Sequence, residues 1–465
     1  MLHLGLGSFH RAHQAVYQQA LHDAGDVRWV LAGGNIRPDM ADTITALQAQ
    51  GGAYTLETIS PVGERVYQRI TAIRQVIPFD PGLQGLIAVG ADAATRILSF
   101  TVTEAGYYLD VHNQLDLGFA DLSADVAATK AGRYSTNAGS TIYGALTAIL
   151  RARRAAGAGP ITLLNCDNLR HNGQRSRSGL LQFIKLVGDA DLAAWVSANT
   201  SSPNAMVDRI TPRPTPDVAA RVKAATGRDD PAALMAESFI QWVIEDHFVA
   251  GRPAWETVGV QLVESVDAFE EAKIRLLNAT HSCIAWAGTL VGTTYIHEGT
   301  LDAAIHQMAF DYVTDDVIPV LHTPEHPCPI DLPAYRDVVL ARFGNTAIAD
   351  TNQRVAMDGF SKIPGFIAPT LRERLAQGAS INSVAMLPAL FLAYLQRWHH
   401  GQIAYTYQDQ AMDPATAHAI CAAADPVAAF CADLPLWGPL AGDPRLVAAV
   451  RAASKRVDQF IQEHS

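Results

Sequence analysis

Residues 2–10 read Leu-His-Leu-Gly-Leu-Gly-Ser-Phe-His, and the fold class turns on them. A short apolar run from Leu2 to Leu6 empties into glycines, and from about Arg11 to His22 the apolar residues recur as one face of a helix. Strand, glycine turn and helix in that order open a βαβ unit. The rhythm repeats outward. Trp29–Ala32 precedes a helical pattern from Met40 to Ala49, Arg96–Thr101 is a further apolar run, and Tyr143–Ala155 reads as a helix that stops at Gly157. Glycine is the usual stop because it enters the left-handed region without a Cβ penalty. Pro160 then leads into the apolar run Ile161–Leu164. Strands alternating with helices predict an α/β fold built on a parallel sheet.

Each apolar run ends in a loop rich in glycine and polar side chains: GSFHRAH at 7–13, GGNIRPD at 33–39, TEAGYY at 103–108 and NCDN at 165–168. Open parallel sheets bind ligands beyond the carboxyl ends of their strands, so four such loops predict a crevice on one sheet edge. The plainer alternative is ordinary strand-to-helix turns, which favour the same residues. Beyond about Val260 the pattern changes to helices: Glu264–Leu290, Leu301–Val313, Leu332–Arg342, Leu371–Ala376, Ser383–Gln396 and Arg445–Gln462. At 465 residues two cores are expected, an α/β domain over 1–260 and a mostly α-helical one over 261–465.

The formal net charge of −11 argues against nucleic acid or an anionic membrane as partner, since both need clustered cations. The five cysteines are scattered with no CxxC, which reads as reduced thiols in a cytoplasmic protein. The most apolar stretch, Val384–Leu395, contains Pro388 and is too short to span a bilayer.

The first loop approximates a dinucleotide-binding fingerprint. Gly5 and Gly7 supply the tight turn and the close backbone approach, Ser8 and Phe9 follow, and His10 stands where a third glycine is expected. At the end of the second strand the acid that usually holds the adenosine ribose is replaced by Asn35, with Arg37 and Asp39 just after it. Asp39 favours NAD there, whereas Arg37 tolerates the extra phosphate of NADP.

In the second half, Glu270–His281 (EEAKIRLLNATH) carries Lys273, Asn278 and His281. On an α-helix these three share an arc of about 140°. A base with an amide and an imidazole beside it is what oxidation of an alcohol requires: the base takes the hydroxyl proton while neutral donors hold the oxygen. The alternative is a set of satisfied polar positions in a buried helix interface. Asn168 offers a second amide donor from the first domain, and Asp167 reads as a cap or Asx-turn residue. Arg354 and Lys362 are either cations near Lys273 or surface charges. His322, His326 and Cys328 (HTPEHPC) are ligand types for zinc, but on a proline-interrupted loop without the usual knuckle.

Taken together, GLGSFHRAHQ, TVTEAGYY, LLNCDNLRHNG, NAMVDRITP, FIQWVIED, KIRLLNATHS and RVAMDGFSKIP resemble, in sequence order, the polyol-specific long-chain dehydrogenases of the mannitol 2-dehydrogenase family. The resemblance runs through essentially the whole chain. It implies a Rossmann-type dinucleotide-binding domain followed by a helical substrate domain, an active site between them, NAD as cofactor with NADP as the alternative, and no metal. It implies that Lys273 is the catalytic base, that Asn168, Asn278 and His281 assist it, and that Glu270 gates proton escape. Asp208, Arg354 and Lys362 fall on substrate contacts, and Gly5, Gly7, Ser8, Phe9, Asn35, Arg37 and Asp39 on the cofactor side. The substrate expected is a small polyol or ketose. Asn165 departs from the serine found before CDN in mannitol-type members, so the polyol stays open. A keto-uronate reductase and a non-catalytic dinucleotide sensor are the other readings.

Overall fold

The computed structural model describes residues 1–110, 112–132 and 141–464. The chain divides into two compact units, residues 1–60 with 64–267 and residues 61–63 with 268–465.

The first unit is built on a six-stranded parallel sheet. Numbered along the chain, its strands are β1 (Leu2–Leu4), β2 (Leu31–Gly34), β3 (Ile73–Val76), β4 (Ile97–Phe100), β5 (Ile161–Asn165) and β6 (Thr200–Ser201). Their spatial order is β3-β2-β1-β4-β5-β6, the doubly wound Rossmann order, with its reversal point between β1 and β4. Alternate side chains enter opposite cores. Leu2, Leu4, Leu98, Phe100, Ile161 and Leu163 pack on one side with the Gln84–Ala91, Ile142–Ala155 and Asn172–Leu186 helices. Ile97 and Leu164 face the other way, toward Tyr17, Trp242 and Trp255. Burial on both faces is why these strands read as mostly apolar runs.

Two features depart from expectation. The helix expected over Arg11–His22 is broken: Ser8–Ala12 and Gln14–Asp23 flank His13, which has φ −126° and ψ −85°. The His13 ring, stacked on Phe9, is held by the Gln241 carbonyl at 2.8 Å from Nε2, and this long-range bond overrides helical continuity. The unit also carries two three-stranded sheets that no apolar run announced, one pairing Tyr54–Ile59 with Arg65–Ile70 and Leu234–Glu237, the other pairing Gln241–Glu245 with Ala205–Asp208 and Gln261–Val263.

The second unit is helical. At its centre lies Ala279–Leu290, buried almost all round, with Trp286 donating to the Ala356 carbonyl at 3.2 Å. Such a helix is apolar on every face because every face is covered. The single helix expected over Glu264–Leu290 begins at Asp267 and is interrupted by a π-helical stretch, Lys273–Asn278. Leu301–Val313 is likewise divided, because Asp302 ends one helix and caps the next by accepting from the Ala304 and Ile305 amides, both at 3.0 Å.

Candidate active site

In the first unit the loop after β1 is drawn tightly over the sheet edge. Gly5 has φ +106°, and a Cβ there would lie 2.3 Å from the Thr101 carbonyl oxygen, so only glycine fits. The Gly5 carbonyl accepts from the Gly7 amide at 2.7 Å and the Thr101 hydroxyl at 3.1 Å, and the His3 ring approaches it at 3.2 Å. Around Gly7, by contrast, a Cβ would meet nothing within 4 Å, leaving open space beside the backbone where a diphosphate is expected. Ser8 opens the short helix that follows, and Phe9 stacks on His13. His10 takes the third-glycine position by stacking its ring on His3 at 3.5 Å between centroids. The helix thus meets the strand through an imidazole pair rather than through a glycine. Both rings are fully buried, and burial pushes His3 down to about 3 and His10 well below its ordinary value, so both are neutral.

Beyond β2, Asn35 is buried and committed to the loops: Oδ1 accepts from the Leu6 amide at 2.8 Å and Nδ2 donates to the Asp39 carbonyl at 3.3 Å. Arg37 donates to the Tyr108 hydroxyl at 2.7 Å and to Asp121 at 3.1 Å. Asp39 is exposed, next to Met40 in the left-handed region. The order of the sheet, the glycine turn at its reversal point and the open space over Gly7 together fit a dinucleotide.

Asp167, expected as a cap or Asx-turn residue, proves to be a bridge between loops. Its carboxylate accepts from the Val102 amide at 2.9 Å, from the Thr103 amide at 3.0 Å and from the Tyr107 hydroxyl, tying the loop after β4 to the loop after β5. Burial outweighs those bonds and raises its pKa. Asn165 supports the same turn: Oδ1 accepts from the Asp167 amide at 2.8 Å, and Nδ2 donates to the Asn172 carbonyl at 3.1 Å. Asn168 therefore stands exposed on a turn whose base is rigid. Asp208 is buried at the end of its strand, opposite Gln241.

In the second unit Glu270 and Lys273 are both buried, and Lys273 opens the π-helical stretch that ends at Asn278. The Ala279 amide bonds the Ile274 carbonyl, an i→i+5 pair. In an α-helix the residues on one face are i and i+4; in a π-turn they are i and i+5. Lys273 and Asn278 therefore share a face more closely than the ~140° separation that α-helical geometry gives them. Single π-turns inside α-helices are frequent at functional sites.

His281, three residues on, stacks on Phe343 at 4.2 Å between centroids, with Nε2 3.5 Å from the Asp350 carboxylate. Burial, seconded by Arg354, Lys362 and Arg342, outweighs Asp350 and pushes its pKa down to about 3. His281 is thus a neutral donor and acceptor. Asp350 binds both ends of the Arg354 guanidinium, with Nε at 2.6 Å, and Lys362 donates to the Val355 carbonyl at 2.6 Å. The structure brings Asp350, Arg354 and Lys362 together around His281, and Asp350 is a residue that sequence reasoning missed. Its one signal was the acid–Arg spacing of four in DTNQR. Tyr312 was missed as well: it donates to the Arg275 carbonyl inside the π-turn at 2.7 Å. In the histidine–cysteine loop, His322 Nδ1 accepts from the Cys328 amide at 3.2 Å.

Comparison with known proteins agrees with this layout. Residues 1–257 match the family model of the mannitol dehydrogenase Rossmann domain, and residues 265–458 match that of the mannitol dehydrogenase C-terminal domain. The chain is 60% identical over 463 residues to a D-arabinitol 4-dehydrogenase of Ralstonia nicotianae, covering 99% of this chain and 97% of the relative. It is 53% identical over 450 residues to a D-arabinitol 4-dehydrogenase of Klebsiella pneumoniae, covering 97% and 96%. Among solved structures, Pseudomonas fluorescens mannitol 2-dehydrogenase in ternary complex with NAD and D-mannitol superposes with a TM-score of 0.81 at 33% identity, over 99% of this chain and 93% of that one. With both units matched along nearly their full length, the chain belongs to the mannitol dehydrogenase family and is a polyol dehydrogenase.

Proposed function

We propose that this chain oxidises D-arabinitol to D-xylulose with NAD, using Lys273 as a metal-free general base. The observation that carries the reading is the 60% identity, over nearly the whole chain, to a relative that bears the D-arabinitol name. The π-turn that sets Lys273 and Asn278 on one face supports it chemically.

The loop at Gly5, Gly7, Ser8 and Phe9 holds the diphosphate of the dinucleotide, with Asn35, Arg37 and Asp39 toward its adenosine end. NAD, when bound, accepts the hydride that leaves the carbinol carbon. Lys273 in its neutral form takes the hydroxyl proton through Nζ. Asn168 and Asn278 donate from their side-chain amides to the oxygen as it gains charge, and neutral His281 hydrogen-bonds the same oxygen or its neighbour. Glu270, one helical turn before Lys273, then relays the proton outward, which returns Lys273 to its basic form. Asp208, Arg354 and Lys362 bind the remaining hydroxyls. The committed bond between Arg354 and Asp350 weakens the keto-uronate alternative, because that guanidinium already has a carboxylate. The five cysteines are free thiols, which supports a cytoplasmic location.

The test is a panel of D-arabinitol, D-mannitol, D-sorbitol and a uronate, each with NAD and NADP, following the reduced cofactor by absorbance. D-arabinitol with NAD should give the highest kcat/KM; a hexitol ahead of it would overturn the substrate assignment. Lys273→Ala should lower kcat by ~10²-fold or more, the range for a positioned base. Turnover within a few-fold of the unaltered enzyme would remove Lys273 from the mechanism.

A further inference from the structure

NAD and NADP differ by one phosphate on the adenosine ribose, so discrimination has to happen where the end of β2 meets that ribose. The usual device is an acid at the strand end, which bonds the ribose hydroxyl and repels a phosphate. This chain lacks it: Asn35 stands there, and its amide is occupied at both ends by Leu6 and Asp39. Two residues further on is Arg37, the one cation of the 35–40 loop. A free arginine at this point would favour the phosphorylated cofactor.

Arg37 is not presented freely. Its guanidinium donates to the Tyr108 hydroxyl at 2.7 Å and to the Asp121 carboxylate at 3.1 Å. Tyr108 is fixed in turn: it is buried, and the Phe119 ring meets it edge-on at 5.5 Å. Asp121 lies in the first turn of the 11-residue helix Ala120–Lys130, where the helix dipole favours a carboxylate. Asp125, four residues on in the same helix, also feels the Arg37 charge. The cation nearest the ribose end thus faces two acids from another segment.

We infer that Asp121 is a specificity-determining residue through which this chain disfavours 2′-phosphorylated dinucleotides. The inference rests on the dinucleotide reading above. A phosphate approaching Arg37 must either displace the Asp121 carboxylate or sit beside it, and both cost energy through like charge. An unphosphorylated ribose meets no such cost. Beside Asp39 in the loop after β2, an acid on a helix that begins nearly 90 residues later thus guards cofactor choice by acting through the arginine. The Arg37–Asp121 pair is only half-buried, with side chains 39% and 43% exposed, so its effect is moderate and screened by salt.

Direct binding tests this without turnover. Adenosine 5′-monophosphate and adenosine 2′,5′-bisphosphate are titrated calorimetrically into the full chain and into Asp121→Asn, Asp121→Glu and the double variant Arg37→Ala/Asp121→Asn. Asp121→Asn should tighten the bisphosphate by about fivefold relative to the monophosphate, the scale of a half-exposed charge interaction. Asp121→Glu, which keeps the charge, should retain the original ratio, and the double variant should lose the gain. An unchanged ratio in Asp121→Asn, a shifted ratio in Asp121→Glu, or a gain that survives loss of Arg37 would each overturn the inference. Monophosphate binding by Asp121→Asn shows that the site is intact. If the unaltered chain bound neither nucleotide, the dinucleotide reading would fail, and this inference with it; monophosphate binding with an unmoved ratio sinks the inference alone.

Discussion

His281 is surrounded by more positive charge than negative, since Arg354, Lys362 and Arg342 act on it against Asp350. Asp350 keeps that arrangement tolerable. Burial works against its charged form, yet the hydrogen bonds and charge of Arg354, with the His281 ring and the Thr351 amide, hold its pKa below the ordinary carboxylate value. It also fixes the guanidinium of Arg354 by contacts at both carboxylate oxygens, a geometry that a lysine or a water would not reproduce. Asp350 reaches the Arg354 guanidinium and faces the His281 ring, so it acts as a positioning residue for both. Asp350→Asn should therefore act mainly on binding: KM for the polyol rises about tenfold with a smaller loss in kcat, as expected when one charge-assisted contact is lost. Steady-state kinetics decide it. Equal falls in kcat and kcat/KM would instead place Asp350 in the chemical step.

The π-turn at Lys273–Asn278 is where element-scale reading and structure diverge most usefully. The residues K-x4-N-x2-H were legible as a cluster, but α-helical arithmetic spread them over a wide arc because nothing in IRLL announces a change from i→i+4 to i→i+5 bonding. The cause is tertiary. Tyr312, fully buried at the start of a second π-helical stretch, Tyr312–Val317, donates its hydroxyl to the Arg275 carbonyl within the first. Arg275 is pinned through its side chain as well, to Glu271 at 2.6 Å and to Glu373 at 2.9 Å. The turn is thus held from another helix, at a sequence distance that local pattern does not span. Tyr312→Phe removes only the hydroxyl and leaves a buried carbonyl short of a donor, at a cost of about 1–3 kcal/mol. The expected outcome is a lower denaturation midpoint together with a fall in kcat, since the π-turn sets where Lys273 points. A variant destabilised by that amount with unchanged kcat would show that the π-turn does not depend on Tyr312.

At the scale of the whole molecule, the parallel sheet was readable because strands covered on both faces are mostly apolar, as in Ile97–Phe100 and Ile161–Asn165. The two smaller sheets were not. Tyr54–Ile59 and Arg65–Ile70 carry the charged residues Glu57, Arg65 and Arg69; Glu57 is buried between Arg65 and Arg221, and Arg69 reaches Asp230 at 2.6 Å. Arg221 and Asp230 are distant in sequence from the strands they join, so pattern alone could not pair them. A related blind spot concerns the histidines. His3 looked like a strand residue and His10 like a missing glycine, but together they form a buried neutral stack beneath the cofactor loop, bounded by Ser99, Thr101, Gly5 and Gln14. Burial pushes His3 down to about 3 in the folded chain, against an ordinary value of 6.5. Between those values the unfolded chain binds the proton and the folded one does not, so stability falls as pH falls. From neutrality to pH 5 this one group removes ~2 kcal/mol. Asp125, Asp167 and Asp316, whose pKa values are raised by burial, work in the opposite sense, so the total slope does not isolate the imidazole. A comparison of variants does. His3→Gln should lose less stability than the unaltered chain between pH 7 and pH 5, by ~2 kcal/mol in denaturant melts, even though it starts from a lower value. Parallel pH profiles for the two proteins would mean that His3 carries its proton in the folded state, and the neutral stack would have to be abandoned.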